Sequence, residues 1–163
     1  MNTELQFDQQ HAAWIRATIR RHGWAIQAVL ADPTTSDPDY AYTIGLTTLH
    51  HPELLIAGLP PNTAAHHLNL LATRIHAGDP PPPGATLTDL TPPRRHHLLT
   101  LDTAASDDLL HHANTLHQHP DGPPVPAYQL IWSDPAGHLP WEPGCTGPAA
   151  DQPLAAPPPH HGP

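Results

Sequence analysis

The sequence predicts an α+β fold, a mostly antiparallel sheet with two or three packed helices. Three observations lead there. The predicted elements run α-β-β-β-α-β-α-β, without the regular strand–helix alternation of a doubly wound fold. No glycine fingerprint of a dinucleotide-binding turn is present. The chain has 163 residues and no internal repeat, which suits one domain able to bury a sizeable core.

The elements follow in order. Residues 8–22 read as a helix, with Asp8 as its cap, Ala12, Ile15 and Ile19 at helical spacing, and Gly23 as the left-handed stop. Residues 24–30 read as a strand with Trp24, Ile26, Ala28 and Leu30 on one face. The segment from Asp32-Pro33 to Asp39 carries turn chemistry. Residues 40–46, aromatic and β-branched, and the apolar residues 53–59 predict two more strands. Pro60 and Pro61 then open a helix over 62–77, with Leu68, Leu71 and Ile75 as its stripe and Gly78 as its end. Residues 80–83 are four prolines, a stiff extended connector. A strand at 97–102, a helix at 104–117 capped by Thr103 or Ser106, and a strand at 128–133 complete the set. Asp134-Pro135-Ala136-Gly137 is a type I turn signature. The folded unit is expected over residues 5–144, and residues 145–163, rich in Pro and His, are expected to be a disordered tail.

Composition narrows the function. The chain has 24 Pro, 16 His and no Lys, and its formal net charge is −9 with His neutral. Without Lys there is no Schiff-base or P-loop lysine. A chain this negative, with so few Arg, is a poor binder of phosphate backbones, and no nucleic-acid partner is expected. One cysteine, Cys145, excludes an internal disulfide framework. The N-terminus has no basic and apolar leader, and no apolar run approaches the length of a membrane span. A cytoplasmic chain with no membrane partner is therefore expected. The histidines lack ligand spacing: no two stand at i and i+4, and doublets such as His96-His97 point adjacent rings apart. No metal site is predicted, and the His content reads as compositional substitution for Lys on polar surfaces. No cofactor is assigned.

Candidate chemistry lies in three segments. His51-Pro52-Glu53 sets two titratable groups beside an apolar strand, a candidate acid–base pair with His51 and Glu53 as the catalytic residues. The competing reading has His51 closing a loop and Glu53 facing solvent. Tyr42-Thr43-Ile44-Gly45-Leu46 places Gly45 inside a strand pattern, which marks a bulge or a close backbone approach, with Tyr42 and Thr43 as candidate ligand contacts. Trp132, Asp134, Trp141 and Glu142 either line a pocket for a flat or cationic ligand or anchor the following segment on the sheet. His138 lies within that segment as a weaker candidate.

These segments, with His22-Gly23-Trp24, Gly58-Leu59-Pro60 and Pro140-Trp141-Glu142-Pro143-Gly144, resemble the bacterial domain-of-unknown-function family 4262 in the same order, over about residues 20–144. The resemblance implies a small bacterial cytoplasmic protein. It carries no established activity, cofactor or catalytic residue. Three functions remain in view: a small-molecule-binding or acid–base pocket near these segments, a non-catalytic module binding a protein partner, and a His-dependent metal or pH sensor. Oligomeric state is not legible.

Overall fold

In the computed structural model, residues 3–159 are described. Helix α1 (Thr3–His22) leads into β1 (Ala25–Val29) and β2 (Tyr40–Ile44), then a single 3₁₀ turn (Leu46–Leu49) and β3 (Glu53–Ala57). Helix α2 (Pro61–His76) follows, then β4 (Thr86–Leu87), β5 (His96–Thr100), α3 (Thr103–Leu109), α4 (His111–His117), β6 (Ala127–Trp132) and α5 (Pro148–Asp151). The strands form one sheet in the order β1-β2-β3-β6-β5-β4. Every pairing is antiparallel except β3 with β6, which run parallel. The class is α+β.

Both faces of the sheet are covered, which explains strands buried along their whole length. Leu54, Ile56, Leu98, Leu130 and Trp132 pack beneath α2, whose Ala64, Leu68, Leu71 and Ile75 recur at i, i+3 and i+4. Tyr42, Ile44, Leu55 and Ala127 face the other way, against Ile15 of α1 and Leu110 and Ala113 of the α3–α4 region. β6 is inserted between β3 and β5, so it and β3 show no polar alternation.

Several expectations are corrected. Helix α1 begins at Thr3, about a turn and a half before Asp8, so Asp8 lies inside the helix and caps nothing. β1 is an edge strand: Ala25 is its buried residue, whereas Ala28 and Leu30, expected on one face with Trp24 and Ile26, are exposed. The helix expected over 104–117 breaks at Leu110 (φ −102°, ψ 55°). Its cap is Asp102, which accepts a hydrogen bond from Ala105 N at 2.8 Å; Thr103 and Ser106 do not cap it. Ser106 and Asn114 instead tie the break to the chain ahead of β6, Ser106 Oγ donating to Val125 O at 2.6 Å and Asn114 Oδ1 accepting from Val125 N at 2.8 Å. β4 was not expected; it is a two-residue ladder along β5.

The C-terminal segment differs most. Within the expected tail, residues 145–159 pack on the sheet, Ala149 and Gln152 being buried. Two glutamine amides account for this. Gln152 Oε1 accepts from Trp132 N at 3.1 Å and its Nε2 donates to Trp132 O. Gln129 Nε2 donates to Pro153 O at 2.7 Å and its Oε1 accepts from Ala155 N at 2.7 Å. These amides satisfy backbone groups that an irregular, proline-rich segment cannot pair by itself. Residues 160–163 of the expected tail lie outside the described residues.

Candidate functional site

The sequence-predicted residues fall into two groups at opposite ends of the central strands. At the amino ends of β3 and β6, Glu53 is fully buried. Its Oε1 accepts hydrogen bonds from Thr43 Oγ1 at 2.8 Å and Leu46 N at 3.1 Å. Its Oε2 accepts from Gly45 N at 3.1 Å, Thr47 N at 2.9 Å and the Thr47 hydroxyl. Both carboxylate oxygens are committed to protein donors, and the negative charge sits against backbone N–H groups that open a 3₁₀ turn. Glu53 thus neither faces solvent nor offers a free lone pair to a substrate. Thr43 Oγ1 also accepts from Leu54 N at 2.9 Å, locking β2 to β3 where their ladder ends.

Gly45 makes this arrangement possible. Its φ of +127° is a left-handed value, and a Cβ there would lie 2.9 Å from Gly23 O and 3.1 Å from Trp24 Cα. Of the two sequence readings of Gly45, close backbone approach is what the geometry displays. His51 donates through Nδ1 to Pro52 O at 2.7 Å and meets the Tyr128 ring edge-on, 5.8 Å between centroids. Tyr42 is buried on the sheet face opposite α2, where its hydroxyl accepts from His112 N at 3.0 Å and burial pushes its pKa up to about 12.

The Trp-rich group lies at the other end. Trp132 Nε1 donates to Ala57 O at 2.9 Å. Asp134 is buried at 2 % exposure, its oxygens accepting from Ala136 N at 3.0 Å, His138 N at 2.8 Å and Thr146 N at 3.2 Å, with the His138 ring at 3.2 Å. Burial works to raise the Asp134 pKa, but the hydrogen bonds from His138 and Thr146 outweigh it and leave the group below the usual range. Glu142 accepts from Leu139 N at 2.8 Å and pairs with Arg95 at 2.7 Å; these contacts hold its carboxyl low against the effect of burial. Trp141 lies edge-on to His97, 5.2 Å between centroids. Tyr42, His51, Glu53 and Trp141 therefore share no cavity. His51 meets β6 at Tyr128, and Trp132 ends that strand, so the two groups stand about 13 Å apart at the usual strand rise.

Two cavities lie toward the carboxyl end of the parallel strand pair. The first, about 360 Å³, opens between the β1–β2 loop, the end of α3 and the C-terminal segment. Its floor is Leu55, Ala57 and Gln129, and Leu55 faces Gln129 where the β3–β6 ladder ends. Asp32, Asp37 and Asp108 stand around it. The Tyr40 hydroxyl, in its wall, donates to Leu109 O at 2.8 Å. Burial raises the Tyr40 pKa and the Asp108 charge adds to that. The Gln129 amide is spent on the C-terminal segment, and Asp32 Oδ1 accepts from Thr34 N at 2.8 Å and Thr34 Oγ1 at 2.7 Å. None of the site residues expected from sequence lines this cleft. Its signal was divided among Leu55, Ala57, Gln129 and a C-terminal segment read as disordered. The second cavity, about 310 Å³, is walled by Leu59, Pro60, Arg94, Trp132 and Asp134, and so keeps two of the expected residues.

Among the described residues, no three His, Cys, Asp or Glu side chains are grouped to hold a metal ion. No described helix is long and apolar enough to cross a membrane.

Fold and cavities define a mixed-sheet α+β domain with concave sites where its parallel strand pair ends. The chain belongs to the family described as Domain of unknown function (DUF4262), which matches residues 18–146. No curated protein and no solved structure matches it.

Proposed function

We propose that this domain binds a small organic cation, an apolar body carrying one positive charge, in the cleft above Leu55, Ala57 and Gln129. The observation that carries the reading is the pairing of an apolar floor with a carboxylate rim, Asp32, Asp37 and Asp108, in a cavity of about 360 Å³. That volume is in the range of small-ligand pockets. Burying the apolar body supplies affinity, and the carboxylates at the rim select the charge. The cleft lies where a parallel ladder ends toward its carboxyl side, the region in which open sheets bind ligands. Its lining contains no His, Ser or Cys, so the reading is of a binding site and assigns no reaction.

The test is titration calorimetry of the full chain with phenethylammonium and its neutral alcohol analogue. Saturable binding of the amine, with the alcohol at least about tenfold weaker, is expected, a difference of about 1.4 kcal/mol. Ala155→Trp, which fills the cleft from a half-buried wall position, should abolish binding, and Asp108→Asn should weaken it. Equal binding of amine and alcohol, or amine binding untouched by Ala155→Trp, would refute the reading.

A further inference from the structure

We infer that the second cavity is a separate site for a small organic oxyanion, a carboxylate or phosphate on an apolar body, anchored by Arg94. The cavity holds about 310 Å³ and opens where β3 and β6 end, between the loops leaving those strands. Leu59, Pro60, Trp132, Pro148 and Ala149 make its walls apolar.

Arg94 is its basic residue, half-buried, and it has no ion pair among the described residues. Arg74 and Arg95 differ: the first pairs with Asp79 and Asp89, the second with Glu142. One N–H of Arg94 is held, Nη1 donating to Ser133 O at 2.7 Å. That bond orients the guanidinium plane and leaves the rest of its fork for a two-oxygen acceptor. A half-buried cation without a counter-charge is what an oxyanion would complete.

The nearby carboxylate does not fill that role. Asp134 lines the same cavity, yet its two oxygens take up the N–H groups of Ala136, His138 and Thr146 and the His138 ring. It is turned into its own loop, outside ion-pair distance of Arg94. The Trp132 indole, fixed by its bond to Ala57 O, is an apolar wall of the same cavity. An aromatic or short aliphatic acid fits that combination of charge, wall and volume.

The experiment follows the Trp132 indole N–H resonance of the full chain during titration with benzoate, phenyl phosphate and inorganic phosphate. A saturable shift with benzoate or phenyl phosphate is expected. Arg94→Gln, which keeps a donor for Ser133 O, should weaken it at least about tenfold, whereas Arg94→Lys should weaken it less. Leu59→Trp, which fills the cavity from its half-buried loop wall, should abolish it and carries the test if Arg94→Gln fails to fold. Ala155→Trp, in the other cleft, should leave it unchanged. The inference is overturned by no saturable shift up to about 10 mM, by equal affinity in Arg94→Gln or Leu59→Trp, or by inorganic phosphate binding as tightly as the organic acids.

Discussion

Replacing Glu53 by Gln tests the buried carboxylate as the post that holds β2, the 3₁₀ turn and β3 together. The substitution keeps the shape and removes the charge. The amide's better orientation puts its oxygen where Oε2 stands, so that Gly45 N, Thr47 N and the Thr47 hydroxyl keep an acceptor. Its NH₂ group then faces Leu46 N–H and the Thr43 hydroxyl, which were donating to Oε1. The opposite orientation orphans two N–H groups and is worse. Leu46 N–H is left without an acceptor in a fully buried place, and the Thr43 hydroxyl, already accepting from Leu54 N, loses the acceptor for its own proton. Each orphaned buried group costs about 1–3 kcal/mol, so the sum is about 3 kcal/mol. With a urea slope of about 2 kcal/mol per molar, the unfolding midpoint should fall by about 1.5 M. Thr43→Val should be strongly non-additive with Glu53→Gln in a double-mutant cycle. A midpoint shift below about 0.3 M, or simple additivity, would refute the assignment of Glu53 as a structural post.

Three further outcomes are expected. His96 is fully buried, neither ring nitrogen has a hydrogen-bond partner among the described residues, and burial, then His67 and Arg94, lowers its pKa to about 4. The unfolded chain takes up that proton near pH 6.5 and the folded chain only near 4, so this part of the stability is complete above 6.5 and is lost as pH falls through that window, by about 3 kcal/mol in all. His96→Leu should flatten that slope and add about 1 kcal/mol at pH 7.5; urea midpoints at both ends of the window measure it, and an unchanged slope would exclude His96 as the source. Gln152→Ala should leave Trp132 N and O unpaired and lower the melting temperature by about 5–10 °C, a loss of about 2–4 kcal/mol; deletion from residue 147 onward should lower it further, and a deletion melting like the intact chain would mean that the segment contributes nothing. Asp102→Ala should lower the urea-unfolding stability by about 1 kcal/mol through loss of the α3 cap, and Thr103→Ala should leave it nearly unchanged, whereas Ser106→Ala acts through its bonds to Val125 O and Asn114 Nδ2; an equal loss in Thr103→Ala would refute the cap assignment.

The elements with strong local signals were legible. The α2 stripe, the prolines at its start and the glycine after it describe a helix in any context, and residues 61–76 form one. The class of fold was legible from element order alone. The cleft above Leu55, Ala57 and Gln129 is not legible in the sequence: none of the candidate residues lines it, and Gly45, Glu53, Trp132 and Asp134 are instead tightly bonded within the protein. Their chemistry was not legible, because a buried Glu holding five donors and a Glu poised in a pocket present the same letter. The order of the C-terminal segment is not legible for a related reason. Its proline content argues against self-pairing, and the partners that order it, Gln129 and Trp132, lie more than a helix length earlier in the chain.

Residue pattern by itself determined α1, α2 and the five longer strands, because periodicity, capping chemistry and proline act over a few residues. It also determined that the chain lacks Lys and carries net negative charge. Only the tertiary structure decided that β6 enters parallel to β3, between β3 and β5, and so set two cavities toward the carboxyl end of that pair. Only it decided that Arg94 lies in one of them, with no ion pair among the described residues, and that Glu53 lies in neither. These are contacts between residues far apart in the chain, and their energies depend on what surrounds each charge once water has been excluded.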